Sequence, residues 1–293
     1  MIKSFDLPVT ADETVRVVYQ QPDSDKTEPT VKPARTKVKS RHEDLYEDDL
    51  SLTPPRKPVI IMMHGFPGGH KGGCDDLFGE LEYRFEGLGY PSIRFDFRGC
   101  GESSGREEDF CIESALADLN AVILWAQHDA GHRSIVLLGE SCGATIALLG
   151  NRPDAIMGNI LLWPALKLKE TSFKDLFTQE SRIESITRDQ PYTMFEGHKM
   201  GSHFINDIYT LDLTTTLENI TAPTLIQHGT ADDEVSLEQV HYARDHLAGL
   251  IDIGIFEGGG HGLRDANMRQ YMFMNIRHFL ERLFKKLDLQ PKN

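Results

Sequence analysis

Gly139-Glu140-Ser141-Cys142-Gly143 holds the residue types for nucleophilic chemistry. A serine flanked by glycines at this spacing fits a turn so sharp that side chains at the glycine positions would collide. The apolar run Ser134 to Leu138 leads into it, and the helix-like run Ala144 to Leu149 leads out. Strand, turn and helix would set the Ser141 hydroxyl above the carboxyl edge of a sheet. A serine hydroxyl needs a base to take its proton, generally a histidine, and that histidine needs a carboxylate to orient it. These partners belong just after strands, because an open parallel sheet binds ligands at its strand carboxyl ends. After the run Thr224 to Gln227 comes His228-Gly229-Thr230-Ala231-Asp232-Asp233. Asp232 is the expected acid and Asp233 its competitor; either would also suit the start of a helix expected over 235–247. After the run Asp252 to Phe256 comes Glu257-Gly258-Gly259-Gly260-His261-Gly262, and His261 is the expected base. The oxyanion formed on attack needs backbone donors, each worth about 3 kcal/mol to the transition state. Cys142 N–H is one. Phe66 N–H, in the loop His64-Gly65-Phe66-Pro67-Gly68-Gly69, is the other. The Cys142 thiol is expected to pack, His64 to orient its loop, and Asp96 and Arg98 to be structural loop partners.

The elements that must hold these residues alternate along the chain. Apolar runs at 2–9, 14–19, 59–63, 92–97, 134–138, 160–163, 224–227 and 252–256 read as eight strands. Several lack period-2 alternation, as strands covered on both faces do. Helical spacing appears over 113–127 and in Met272, Ile276, Phe279, Leu280 and Leu283, a stretch ending in Lys285-Lys286, cations suited to a helix C-terminus. Strands alternating with helices predict an α/β fold with a mostly parallel, doubly wound sheet. Two segments break the alternation. Residues 21–57 are rich in proline and carry a basic block followed by an acidic one, which reads as a solvated surface insertion. Residues 167–213 hold Phe173, Leu176, Phe177, Met194, Phe195, Phe204 and Tyr209, too apolar for a linker and expected to form a small lid over the sheet edge. The whole, 1–293, reads as a single domain.

The order Ser141, Asp232, His261, the His64–Gly69 loop and the run Arg94-Phe95-Asp96-Phe97-Arg98-Gly99-Cys100-Gly101-Glu102-Ser103 together resemble the α/β-hydrolase superfamily. Within it, the chain looks most like carboxylesterases of the cinnamoyl/feruloyl esterase type and the serine aminopeptidase-like, monoacylglycerol lipase-like group. The resemblance implies an α/β-hydrolase fold and a cofactor-independent serine esterase. In that scheme Ser141 is nucleophile, Asp232 orienter and His261 base, with Phe66 and Cys142 supplying the oxyanion hole. A peptidase, thioesterase or acyltransferase on the same three side chains is the near rival, and a non-catalytic ligand receptor the distant one.

A net charge of −14 disfavours nucleic acid and anionic membranes as partners. No apolar run reaches the roughly 20 residues of a membrane span, and the start, Met1 to Asp6, lacks a secretory apolar region. The four cysteines have no C-x-x-C spacing and read as reduced thiols of a cytoplasmic protein. The Gly65–Gly73 loop lacks the G-K-[ST] ending of a phosphate-binding loop, and the twelve histidines include no H-E-x-x-H motif. The expected partner is therefore a small ester, with no metal and no cofactor; the sequence leaves monomer and homodimer equally open.

Overall fold

The computed structural model describes residues 1–22, 56–174 and 192–288. Most of the charged insertion 21–57 lies outside them, as do Leu176 and Phe177 of the expected lid. The strands are β1 (Ile2–Pro8), β2 (Thr14–Gln20), β3 (Val59–Met63), β4 (Ser92–Phe95), β5 (Ile135–Glu140), β6 (Ile156–Leu162), β7 (Tyr192–Phe195), β8 (His198–Gly201), β9 (Thr224–Gly229) and β10 (Ile251–Phe256). The helices are α1 (Leu77–Gly87), α2 (Ile112–His128), α3 (Cys142–Leu149), α4 (Ser202–Thr210), α5 (Thr214–Asn219), α6 (Glu238–His246) and α7 (Ala266–Asp288). Eight strands form one sheet in the order β1-β2-β4-β3-β5-β6-β9-β10; β7 and β8 make a separate hairpin. β1 pairs antiparallel with β2, and β2 with β4; from β4 to β10 every pairing is parallel.

The central strands lack alternation because both faces are covered. Val59, Ile61 and Met63 of β3, with Ile135 and Leu137 of β5, enter the core beneath α2 and α3. Ile60, Met62, Val136 and Leu138 enter the opposite core with residues of α1 and α7. Every one of these side chains is fully buried, and each contributes on the order of 1.5–3 kcal/mol by leaving water. Chain direction across the sheet reverses between β3 and β5, since β3 is followed by β4 on one side and β5 lies on the other. The loops after β3 and β5 therefore open a crevice at the topological switch point.

Strand ends differ from the sequence reading by a few residues. β4 stops at Phe95, β5 runs on through Gly139 and Glu140, and β6 begins four residues early at Ile156. The extension of β6 includes buried Asn159, whose amide bonds Asn151 and Thr224, so a polar residue sits inside a core strand with its partners supplied. The helix expected from Val235 starts at Glu238 instead, because Val235 is bridged to Thr171. In the expected lid, Phe173, Phe195 and Phe204 are buried as anticipated, while Met194 and Tyr209 face solvent. No helix among the described residues is long and apolar enough to cross a membrane.

Candidate active site

Ser141 sits on the turn between β5 and α3 with φ +51° and ψ −122°. A non-glycine residue in that region costs about 1–3 kcal/mol and persists only where its surroundings impose it. The surroundings are explicit. A Cβ on Gly143 would strike the carbonyls of Met63 and His64, and one on Gly139 would strike the backbone at Gly143 and Ala144. Ser141 N–H donates to Leu162 O at 3.0 Å, and Ser141 O accepts from Ala144 and Ala165 at 3.1 Å. The two glycines let β5, β3 and α3 close to backbone contact, and the serine takes the strain.

Asp232 and His261 meet across the ends of β9 and β10. His261 Nδ1 lies 2.8 Å from Asp232 Oδ2. Asp232 Oδ1 accepts the N–H groups of Glu234 (3.0 Å) and Val235 (2.8 Å). Asp232 thus does both things open to it in the sequence, fastening the following turn with one oxygen and holding the imidazole with the other. Its carboxylate is fully buried, whereas Asp233 is exposed. Burial alone would push the Asp232 carboxyl up; the bond and charge of His261, the Val235 N–H and nearby His228 outweigh it and hold it below the usual aspartate value. Burial alone would likewise pull His261 down, yet Asp232, Glu234 and Glu140 together hold it above the ordinary histidine value of 6.5.

Ser141 and His261 line one cavity of about 330 Å³. Phe66, Trp163, Phe173 and Phe195 supply its apolar lining. Among the described residues, neither Phe66 N–H nor Cys142 N–H donates to a protein acceptor. The Phe66 ring is stacked on Phe110 at 3.9 Å and meets Phe204 edge-on at 4.9 Å, so the loop is pinned by an aromatic cluster beneath it. His64 fixes the same loop as expected: its Nδ1 faces Gly65 O at 2.7 Å and its Nε2 accepts Phe97 N–H at 3.1 Å. That pairing suits a neutral ring, and burial pulls His64 down to about 4. Asp96 accepts Lys71 N–H, Lys71 Nζ and Glu102 N–H, and Arg98 pairs with Asp118 and Glu13. Both are structural, as read. Cys142 is buried packing, and burial pushes its thiol up to about 12. All four cysteines are free.

Three features of the site were not read from the sequence. Glu234 Oε2 stands 3.7 Å from His261 Nε2, and the Trp163 ring meets the imidazole edge-on at 5.9 Å. Glu140 is buried at the end of β5, with Cys74 N–H at 3.0 Å from Oε1 and Gly65 N–H at 3.5 Å. Burial pushes the Glu140 carboxyl up to about 7, against those two N–H groups. A carboxylate closing an otherwise apolar strand was the visible signal for it.

The parallel sheet, the switch-point crevice and the serine turn define the α/β-hydrolase fold. Residues 58–150 match the family model for the alpha/beta hydrolase fold, and residues 161–287 match that for the prolyl oligopeptidase family. The chain has the α/β-hydrolase fold. Its solved neighbours include Est1E from Butyrivibrio proteoclasticus, determined with ferulic acid bound (TM-score 0.71, 19% identity, 94% of this chain and 98% of that one). An esterase from Exiguobacterium antarcticum superposes with TM-score 0.65 at 19% identity, covering 95% of this chain and all of that one. A monoglyceride lipase homolog of monkeypox virus is 26% identical over 71% of this chain and 82% of its own length.

Proposed function

We propose that the protein is a serine hydrolase of carboxylic esters acting through an acyl-enzyme. The observation that carries this reading is the strained Ser141 turn opening into the same cavity as a histidine held by a buried aspartate. Ser141 attacks the ester carbonyl while His261 takes its proton at Nε2. Asp232 keeps Nδ1 protonated and stabilises the imidazolium that forms. The Phe66 and Cys142 N–H groups receive the oxyanion, and their freedom from protein acceptors supports that role. His261 then returns the proton to the leaving alcohol, and water activated by the same imidazole releases the acid.

The cavity suggests the substrate. Four aromatic residues line it, and four carboxylates (Asp75, Glu140, Glu196 and Glu234) stand against one guanidinium, Arg264. An apolar or aromatic ester suits such walls, and an anionic acyl chain does not. The esterase and lipase names of the relatives agree with ester cleavage. The match of residues 161–287 to the prolyl oligopeptidase family favours a second reading, amide cleavage on the same side chains. The test is a panel of 4-nitrophenyl esters and matched anilides, with a fluorophosphonate probe. Stoichiometric labelling of Ser141 and faster turnover of aryl and medium acyl esters than of succinyl esters or anilides is expected. Folded protein that takes no label refutes the proposal, and faster anilide turnover would replace it with the peptidase reading.

A further inference from the structure

Glu140 is placed where no part of the mechanism above uses it. Its side chain is buried beside the nucleophile, between the Ser141 turn and the loop of residues 64–74 that follows β3. Both ends of that loop converge on one of its oxygens. Cys74 N–H lies 3.0 Å and Gly65 N–H 3.5 Å from Oε1, while Oε2 lies 3.2 Å from Cys74 N–H alone. Gly65 is next to Phe66 in the chain and close to the nucleophile in space, since a Cβ built on it would stand 3.2 Å from Ser141 Cβ. Two other anchors of the loop, His64 to Phe97 and Lys71 to Asp96, tie it to the β4 side of the crevice. Glu140, the residue before Ser141, ties it directly to the Ser141 turn.

We propose that Glu140 is a positioning residue, whose carboxylate oxygen sets the 64–74 loop, and with it the Phe66 N–H, in register with Ser141. The proposal rests on the serine-esterase reading above. The requirement it makes is one of reach, because a single oxygen at the right distance serves both N–H groups. Aspartate keeps the charge but withdraws the oxygens by about one C–C bond, roughly 1.5 Å, which takes the Cys74 contact out of hydrogen-bonding range. Glutamine loses the charge but can place its carbonyl oxygen where Oε1 stands.

The experiment compares E140D and E140Q with wild type in saturation kinetics on one 4-nitrophenyl ester, with thermal unfolding to check folding. A misplaced group of this kind costs on the order of 10²-fold in turnover. E140D is expected to lose about that much in kcat with KM changed less than about threefold, and E140Q to recover most of the loss. The reverse order, with aspartate active and glutamine not, would show that the charge matters and overturn the proposal; so would equal activity, or equal loss, in the two variants. Should E140D fail to fold, E140Q alone decides, and a kcat below about a tenth of wild type counts against it. Wild-type labelling of Ser141 by the fluorophosphonate separates the two levels. Without it the esterase reading falls and takes this role with it; with it, a contrary variant pattern removes only the role of Glu140.

Discussion

Asn at position 232 should disable the proposed base without disturbing its position. In the native site both Asp232 oxygens are occupied, Oδ1 by the N–H groups of Glu234 and Val235 and Oδ2 by His261 Nδ1. An asparagine must choose which end to turn toward the imidazole. Turning its NH₂ toward the two backbone donors would leave the part-buried Val235 N–H unsatisfied, at about 1–3 kcal/mol, while the exposed Glu234 N–H would turn to water. The amide oxygen therefore stays with Glu234 and Val235, and the NH₂ faces His261. Nδ1 then has to accept, the ring proton moves to Nε2, and the nitrogen facing the nucleophile is no longer a base. Restoring the working tautomer requires the flipped amide, about 1–3 kcal/mol, which is on the order of 5-fold to 150-fold in active fraction. The loss seen on imposing this tautomer on a Ser-His-Asp triad, about 10⁴, is larger still, because the carboxylate's charge beside the imidazolium is lost as well. The assay is kcat on a 4-nitrophenyl ester at pH 8, with D233N as the control, since Asp233 is exposed. A D232N enzyme within about threefold of wild type, or a D233N enzyme that suffers the larger loss, would refute the assignment of the acid and the amide argument with it.

Two further outcomes follow from titration. His261 acts as a base only when neutral, and its environment holds its pKa above 6.5; kcat/KM should therefore rise with pH through a limb centred above 6.5, and a limb centred below it, or a profile flat from pH 5 to 9, contradicts the role given to the imidazole. His64 is held neutral in the fold, with its pKa lowered by burial to about 4, against about 6.5 when unfolded. Its contribution is complete above 6.5 and is lost as pH falls toward 4, up to roughly 3 kcal/mol. Urea unfolding from pH 7.5 to 4.5 should accordingly be steeper in pH for wild type than for H64N, and equal slopes would refute it.

What the sequence made legible, and what it hid, divides along a physical line. β3 could be found because a strand buried on both faces must be apolar along its length. Ser141, Asp232 and His261 could be singled out as candidates because each follows a strand of the parallel sheet, Ser141 and Asp232 after central strands and His261 after the edge strand β10. The β7–β8 hairpin was missed although its turn, Glu196-Gly197, has φ +49° and +88°, the positive pair a tight hairpin demands. Its strands are only four residues each and are fixed by contacts remote in sequence, His198 to Glu107 at 2.7 Å and Lys199 N–H to the same carboxylate at 2.9 Å. Glu140 and Glu234 were hidden for the same reason. What a carboxylate does depends on which N–H or imidazole stands opposite it, and those partners are 66 residues away at Cys74 and 27 away at His261, the second separation being the difference of the two residue numbers. Local pattern reports where the backbone must go, because propensity and burial act on neighbours. It does not report how a loop is held to within an ångström of its working position, and that precision is what an oxyanion donor needs. Here the loop of residues 64–74 draws it from three buried polar groups, His64, Asp96 and Glu140, on three different stretches of chain.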